Sequence, residues 1–253
     1  MTQIVSIHSF RRGTGKTSLA ANLAALLAYK NLRVGLMDAD FQLPSAHLWF
    51  GLEQEKLENT INRYLAGACK ITEAAYRVTD RLGSVMQGEL FVIPASTRYT
   101  DIQKHLRVGL PTEKFQMGLE DLLSELNLDV LLVDVAAGLN EDTLFTIACS
   151  DMLLVTLRPD KQDFQGTAVV LEVGRKLNVP QMYLVMNQSP TGYNAAEVRQ
   201  QLISTYQCDV ACILPHSEAM LQTGGQGILA VQAPANPYVL ALKPLVELLA
   251  QAD

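Results

Sequence analysis

Seven short apolar runs constrain the fold of this chain. They are rich in Val, Ile and Leu, and between them lie segments whose apolar residues recur at helical spacing, such as 18–30 and 113–126. Runs of this kind are typical of parallel strands buried on both faces, and the intervening helices supply the crossovers that such strands require. We therefore predict an α/β fold: a single doubly wound, mostly parallel sheet with helices on both faces, forming one domain over residues 1–253. The predicted strands are residues 4–9, 33–38, 89–94, 129–134, 151–157, 181–187 and 209–215.

The composition suits a folded chain. Of the 253 residues, 49% are hydrophobic and 18% are charged, and no uncharged stretch reaches the length of a membrane span. A net charge of -6 excludes a surface that is basic throughout, so any DNA contact must be a local patch. The four cysteines include no CxxC pair, which fits reduced thiols, and we expect a cytoplasmic protein. The long connection over residues 41–88 is expected to add helices at the rim of the sheet.

The segment GTGKTS follows the first predicted strand and opens the first predicted helix. In that place backbone N–H groups and a helix N-terminus face an anion, Lys16 reaches the outer phosphates and Thr17 can bind Mg²⁺. The usual phosphate-loop signature also has a glycine five places before Gly15, where this chain has Phe10. The position of the segment therefore carries the prediction of a nucleotide site, whose loop residues are Gly13, Thr14, Gly15, Lys16, Thr17 and Ser18.

Acidic residues stand at the ends of two predicted strands. Asp38 and Asp40 close the second run, and Asp134 closes the fourth. The carboxyl ends of parallel strands border the crevice where open α/β sheets bind their ligands. A single carboxylate could simply be a polar residue that ends a strand, which is common. Three carboxylates that converge on one Lys-Thr pair favour a Mg²⁺-nucleotide site.

Together these motifs resemble the MinD/ParA ATPases, a family whose deviant Walker A box reads K-G-G-x-G-K-[ST]. The corresponding residues here are 11–17, RRGTGKT. The resemblance spans nearly the whole chain, because other motifs follow the family's order and rough spacing: DADFQ (38–42), GLE (51–53), VIPAS (92–96), DVAAG (134–138), MNQ (186–188) and ILPHSE (213–218). It implies a P-loop ATPase of the MinD/ParA type that uses ATP and Mg²⁺.

The resemblance also implies roles for single residues. Lys16 would bind the β- and γ-phosphates, and Thr17 would ligate Mg²⁺, with Asp38 and Asp134 holding the water shell of the metal. Asp40 would orient the attacking water, a task that Asp38 could share or take.

Three further positions would shape the nucleotide pocket. Asn187 and the backbone near Pro215 would line the adenine. Gly138 would let the loop after the fourth run approach the γ-phosphate.

The front of the loop departs from the family pattern. In the family, the first lysine of the box crosses to the nucleotide of the other subunit in an ATP-sandwiched dimer, and Arg11 stands at that position. A planar, always charged guanidinium can grip phosphate oxygens, so we assign Arg11 a catalytic role. Arg12 replaces a glycine and is either a phosphate or cross-dimer contact or a solvent-facing side chain. Lys161 could supply the missing lysine from the partner, or be an ordinary solvated residue.

The implied function is an ATP-dependent homodimer that adheres to a matrix, and an adaptor or cargo protein that stimulates hydrolysis. The cargo would be a plasmid, a chromosome or a protein organelle; some carboxysome-spacing ParA-type proteins lack the signature lysine. Non-specific DNA is the expected matrix, through a strip of cations, which would make the protein nucleoid-associated. That strip consists of Arg158, Lys161, Arg175, Lys176 and Arg199.

Other functions stay open. A MinD-like or FlhG-like membrane-associated ATPase is disfavoured, because the tail over residues 237–253 lacks a cationic face and is better explained as a packing helix. An ATP-dependent ligase of the dethiobiotin synthetase kind would need a substrate pocket and no dimer. A scaffold that binds ATP without hydrolysing it is a third possibility. An iron–sulfur relative is weaker, because Cys149, Cys208 and Cys212 match no symmetric cluster-bridging pattern.

Overall fold

One sheet takes strands from most of the chain, whose residues 2–83 and 87–251 are described by a computed structural model. The strands are β1 (Gln3–His8), β2 (Arg33–Ala39), β3 (Tyr76–Arg77), β4 (Glu89–Ile93), β5 (Val130–Val135), β6 (Met152–Leu157), β7 (Gln181–Ser189) and β8 (Asp209–Pro215). Their order in the sheet is β3-β4-β2-β5-β1-β6-β7-β8, and all neighbours are parallel except the pair β3 and β4. The seven predicted strands are confirmed. The edge strand β3 was missed, because two residues carry no periodicity.

Helices connect the strands and cover the sheet. Within the described residues they are α1 (Lys16–Tyr29), α2 (Ala46–Trp49), α3 (Ile61–Leu65), α4 (Tyr99–Val108), α5 (Thr112–Glu125), α6 (Glu141–Ala148), α7 (Lys161–Lys176), α8 (Ala195–Tyr206), α9 (Glu218–Gln222), α10 (Leu229–Gln232), α11 (Pro237–Ala241) and α12 (Lys243–Ala250). The long connection carries α2 and α3, with 3-10 turns at Gln54–Lys56, Thr72–Ala74 and Thr79–Leu82. The rim helices expected over residues 41–88 are thus present, while residues 84–86 lie outside the described residues.

Both faces of the sheet are packed, as the doubly wound prediction requires. Successive residues of β5 show this: Leu132 packs in the core with α1, whereas Leu131 packs in the core with α5, and both are fully buried. Alternating side chains of a strand point to opposite faces, so a strand that is apolar throughout needs a cover on each. The chain supplies α1, α11 and α12 on one face and α5 and α7 on the other. The single-domain assignment for residues 1–253 stays a prediction.

The central strand β1 lies where the winding of the sheet reverses. It pairs with β5 on one side and with β6 on the other. Strands β2 to β5 all lie on the β5 side of β1, and strands β6 to β8 all lie on its β6 side. Asp134 on β5 is in register with Ile7 on β1 and with Asp38 on β2. The crevice at the carboxyl ends of these strands is therefore bordered by two carboxylates at one level, directly beside the loop that follows β1.

The C-terminal helix belongs to the core. Leu245, Val246 and Leu249 of α12 are buried in the same cluster as α1. The prediction that this tail packs against the domain is confirmed up to residue 251, and its last two residues lie outside the described residues. No helix in the described part of the chain is long and apolar enough to span a membrane.

Candidate nucleotide site

Two glycines give the loop between β1 and α1 its shape. Gly13 and Gly15 have φ values of 80° and 89°, a left-handed conformation that costs other residues free energy. A Cβ on Gly13 would meet nothing within 4 Å, whereas a Cβ on Gly15 would lie 2.2 Å from Nδ2 of Asn187. Helix α1 begins at the next residue, Lys16. The loop therefore turns its backbone toward the start of a helix, which is the arrangement that binds phosphate.

Neighbouring strands hold this loop in place. Asn187 Nδ2 donates a hydrogen bond to the carbonyl of Thr14 (2.8 Å), and the Thr14 hydroxyl is hydrogen-bonded to the Thr156 hydroxyl (3.0 Å). The pairing of β7 with β8 shifts register between Met186 and Ser189, and Gln188 has a φ of 56°. Asn187 lies within this irregular part of β7, and its side chain contacts the loop. Asn187 thus anchors the loop, and its predicted contact with adenine stays a prediction.

Lys16, Thr17 and Asp134 come together as predicted. The Thr17 hydroxyl donates to Asp134 Oδ2 (2.5 Å), while Asp134 Oδ1 is buried without a hydrogen-bond partner. Lys16 Nζ donates only one hydrogen bond in the described structure, to the Ser9 hydroxyl (3.2 Å). A buried ammonium and an orphaned carboxylate oxygen fit the phosphates and the hard, oxygen-bound cation of a Mg²⁺-nucleotide. Thr17 and Asp134 are the residues that would hold the metal.

Burial sets the electrostatics of this centre. Loss of solvent lowers the pKa of the Lys16 ammonium, against the attraction of Asp134 and Asp40. Burial also raises the pKa of the Asp134 carboxyl, and the pKa of Asp38 is raised by burial and by the charge of Asp134. The imidazole of His8 is fully buried, so its pKa falls to about 3, with a further contribution from the charge of Lys16. The site therefore holds charged groups that a bound polyanion and cation would stabilise.

Asp38 and Asp40 organise the chain after β2. Asp38 is fully buried and accepts backbone hydrogen bonds from Ser45 (2.8 Å), Ala46 (2.9 Å) and Asp40 (3.1 Å). It therefore fixes the start of α2, and its predicted place in the water shell of the metal stays a prediction. Asp40 accepts the backbone N–H of Leu43 (3.0 Å), and its other oxygen lies 3.9 Å from Arg12 Nη1.

Arg11 turns toward α7 of its own chain. Its Nη1 lies 3.1 Å from Asp160 Oδ1 and 3.3 Å from Asp163 Oδ1. Asp163 is buried and also accepts from Arg158 Nε (3.0 Å). Phe10 lies against the same helix, because a Cβ on Gly166 would come within 2.2 Å of its ring. Two of the three residues that depart from the loop signature, Phe10 and Arg11, thus pack against α7.

Other predicted residues flank this centre. Lys161 is exposed at the first position of α7 and has no carboxylate within 4.0 Å among the described residues. Gly138 has a φ of 83°, and its N–H donates to the carbonyl of Ser9 (3.0 Å), which ties the loop after β5 to the loop after β1. Pro215, Asn187 and Ser18 line one cleft of about 360 Å³ beside the loop. The predicted adenine-lining positions are therefore brought together, and their role stays a prediction.

Most of the predicted DNA strip is engaged within the chain. Arg158 pairs with Asp160 and Asp163, and Lys176 pairs with Glu172 (2.9 Å). Arg175 donates to the carbonyls of Tyr206 and Gln207, and Arg199 donates to the carbonyl of Val210. Lys161 is the member of the strip without such a partner in the described structure.

Sequence reasoning missed the residues that support the site. Ser9 links Lys16 to the loop, Thr156 holds Thr14, and Asp160 and Asp163 hold Arg11. Asp160 had a readable signal, because an Asp directly before a helix accepts its first N–H groups, as it does here from Gln162 and Asp163. The contacts of Ser9 and Thr156 depend on the approach of β1 and β6 and have no local signal.

The loop contains two glycines and leads into a helix, and its lysine and threonine face a carboxylate at the end of a strand. This arrangement defines a P-loop nucleotide-binding protein. The AAA domain family (AAA_31) matches residues 2–181. An uncharacterized ATP-binding protein of Methanocaldococcus jannaschii, MJ0547, is 26% identical over 96% of this chain and 85% of its own length. The flagellum site-determining protein YlxH of Helicobacter pylori is 25% identical over 85% of this chain and 68% of its own. The septum site-determining protein MinD of Pyrococcus horikoshii, solved with Mg-ADP, superposes with a TM-score of 0.80 at 20% identity, over 99% of this chain and 97% of its own.

The chain belongs to this AAA domain family and, within it, to the MinD/ParA-type P-loop ATPases. The predicted family and fold are thereby confirmed, and ATP and Mg²⁺ are confirmed as its cofactors at the level of the family. The deviant form of the Walker A box stays a prediction.

Proposed function

We propose that this chain is a Mg²⁺-dependent ATPase that positions a cellular cargo by cycling between nucleotide states. The observation that carries the proposal is the part-buried Thr17–Asp134 hydrogen bond beside a buried, unpartnered Asp134 oxygen and a buried Lys16 within the described residues. These groups complement the charges of a triphosphate and its cation. Two relatives or structural neighbours are site-determining proteins by name, which favours positioning over metabolism.

Different residues of the chain would bind the phosphates, hold the metal and orient the attacking water. Lys16 and the loop amides from Gly13 onward would bind the outer phosphates, and Thr17 with Asp134 would hold Mg²⁺, which neutralises phosphate charge when bound. Asp40 would orient the attacking water, since it lies on the loop that Asp38 fixes. Hydrolysis is then sensed by two loops that touch the nucleotide loop, one through the Gly138–Ser9 hydrogen bond and one through Arg12 and Asp40.

The active form in this proposal is an ATP-dependent homodimer. Large apolar side chains are exposed near the site, among them Leu43, Leu48 and Leu221. Phe10 and Arg11 lie at the same edge, so Arg11 would reach the nucleotide of the partner only after leaving Asp160 and Asp163. Lys161 is exposed at the start of α7, has no carboxylate within 4.0 Å in the described ranges, and is the second candidate for the role.

The proposed matrix is non-specific DNA, which places the cycle on the nucleoid in the cytoplasm. Lys161 is the strip residue that supports this part of the proposal. A band shift of random duplex DNA by the ATP-loaded protein should appear at low salt and disappear at high salt, because phosphate contacts release counterions. Absence of a shift at every salt concentration would remove DNA as the matrix. An adaptor or cargo protein would stimulate hydrolysis.

The central test is the mass of Asp40→Ala in solution with ADP and with ATP. We expect a monomer with ADP and a dimer with ATP, together with loss of ATP turnover relative to the wild type. A monomer in both states would refute the positioning cycle. Fast turnover that requires a small carboxylate would instead identify a ligase, and equal turnover by wild type, Asp40→Ala and Arg11→Ala would take these residues out of catalysis.

A further inference from the structure

A set of exposed cations lies on helices α3 and α4 and at the residue before α4. Arg63, Arg98, Lys104 and Arg107 are exposed, and none has a carboxylate within 4.0 Å in the part of the chain that the structure describes. The whole chain has a net charge of -6, so a local set of unpaired cations is not explained by composition. Surface cations without a neighbouring carboxylate attract anionic partners and raise their local concentration.

Helix α4 buries a polar side chain and exposes several apolar ones. Of its ten residues, all within the described ranges, only His105 is buried, where it stacks on Phe41 with the ring centroids 4.4 Å apart. Three of its four larger apolar side chains face solvent instead, while Ile102 is half-buried: Tyr99 is 73% exposed, Leu106 61% and Val108 71%. A surface helix normally turns such residues inward, and a cluster of exposed apolar side chains marks an interaction site.

A cleft of about 290 Å³ runs between these two helices. Arg63 and Lys104 both line it, so two cations border one opening, and Leu65 and Val108 contribute apolar walls. Asp101 lies in the same cleft, where it accepts a hydrogen bond from the Ser96 hydroxyl (2.6 Å). This volume is suited to one large side chain, with the cations placed to pair with charged groups on either side of it.

We propose that the cleft between α3 and α4, with Arg63 and Lys104 at its edge and further exposed cations on the same segment of chain, docks an acidic segment of a partner protein. The segment carries Asp or Glu next to one large apolar residue, which enters the cleft. Interfaces of this kind combine charge complementarity with an apolar anchor in a pocket. The occupant is identified by its chemistry, and no residue of the nucleotide loop is among those that line the cleft in the described structure.

The neighbouring charges favour a short acidic segment over DNA or a membrane. Asp101 lies inside the cleft, and helix α5 next to α3 exposes Glu113 and Glu120. Helices α3 and α5 are in contact, since Tyr64 Oη donates to the carbonyl of Lys114 (2.8 Å). An extended polyanion or a flat anionic surface would meet these carboxylates, whereas a segment with a few acidic residues can avoid them. Neither a duplex nor a bilayer presents a single side chain to a cleft.

The test is a selection of random twelve-residue peptides displayed on phage, using the full-length chain without nucleotide. Counter-selection uses the double variant Arg63→Glu/Lys104→Glu, whose fold is checked by circular dichroism and thermal unfolding. We expect enriched peptides with Asp or Glu around a Leu, Ile, Met or Phe. Fluorescence anisotropy of an enriched peptide should then show at least tenfold weaker binding to the double variant, and equal binding to Lys30→Glu, which reverses an exposed lysine on another part of the surface.

Three results would overturn the proposal: no enrichment, enriched peptides without acidic residues, or affinity for the double variant within twofold of the wild type. Binding of random duplex DNA, or of phosphatidylserine vesicles, that disappears in the double variant would assign the cleft and its cations to that polyanion instead. Because the readout is peptide binding without nucleotide, failure leaves the proposed ATPase cycle to be judged by its own experiment.

Discussion

Arg11 and Asp163 lie 3.3 Å apart, one at the front of the nucleotide loop and the other in the first turn of α7. Asp163 is only 2% exposed and also binds Arg158, while Arg11 is 36% exposed. Two guanidinium groups contact this buried carboxylate, which would be costly to leave without a counter-charge. Arg11, which replaces the first lysine of the family pattern, is therefore held by carboxylates of its own subunit.

Substitution Asp163→Asn should lower the free energy of unfolding by about 2 kcal/mol, because it weakens the charged hydrogen bond that the buried carboxylate accepts from Arg158 and removes the charge that faces Arg11. For a chain of this size that corresponds to a fall in Tm of roughly 4–8 °C. Arg11→Ala should cost less than about 1 kcal/mol, since half-exposed ion pairs contribute little. Thermal unfolding with Lys176→Ala, from the exposed pair with Glu172, serves as control; equal losses in Asp163→Asn and Lys176→Ala would contradict the buried link.

Gly15→Ala and Gly13→Ala form a matched pair at the loop. Both positions are left-handed, so each alanine should cost about 1–2 kcal/mol of backbone strain. Gly15→Ala alone also drives a methyl group into Asn187, and we expect it to cost clearly more. The measurement is urea unfolding of both variants and of Gly15→Ala/Asn187→Ala. The double variant should recover part of the extra loss, and identical costs for the two glycines would show that Asn187 does not abut the loop.

Lys16→Ala should abolish the stabilisation that ATP gives to the folded chain. A ligand at one hundred times its Kd stabilises by about 2.7 kcal/mol, which thermal unfolding detects easily. Thr17→Ala should keep a smaller shift that no longer depends on Mg²⁺, because the hydroxyl that faces Asp134 is gone. Ser18→Ala is the control, since its hydroxyl donates to the Gly15 carbonyl instead, and it should keep the Mg²⁺ dependence. Mg²⁺ dependence in Thr17→Ala equal to that of the wild type would refute this assignment.

His105 joins α4 to α6 through Asp142, with 2.8 Å between His105 Nε2 and Asp142 Oδ2. The hydrogen bond from His105 is the main reason why the pKa of Asp142 is lowered. A carboxyl whose pKa is lowered by folding stabilises the protein above its unfolded pKa, near 4, and loses that contribution as pH falls through the folded value. Asp142→Asn should therefore cost about 1 kcal/mol at pH 6 and less at pH 3, because the carboxyl loses its charge as the pH falls. Urea unfolding at both pH values checks this, and Asp80→Asn on the exposed Arg77 pair should show no such change; a gap that is undiminished at low pH would contradict it.

The parts that could be predicted from the sequence are those that depend on local pattern. Apolar runs located all seven main strands, and the place of GTGKTS between β1 and α1 located the nucleotide loop. Asp134 was found because it ends a strand beside that loop. The pairing of Arg11 with Asp160 and Asp163 was not predicted, since it joins residues far apart in the chain. The burial of His105 in α4 was not predicted either, because the residues next to it in sequence do not indicate what covers its side chain.

The sequence by itself determined the class of fold, the nucleotide loop and the family, because periodicity, glycine placement and strand-end carboxylates act over a few residues. Only the tertiary structure decided which cations are free. Arg158, Arg175, Lys176 and Arg199 look available in the sequence, yet each has a carboxylate or carbonyl partner supplied by the fold, whereas Arg63, Lys104 and Arg107 have no carboxylate partner among the described residues. The physical reason is that a charge is satisfied by whatever lies within hydrogen-bonding distance in space, and the packing of helices on the sheet sets that distance.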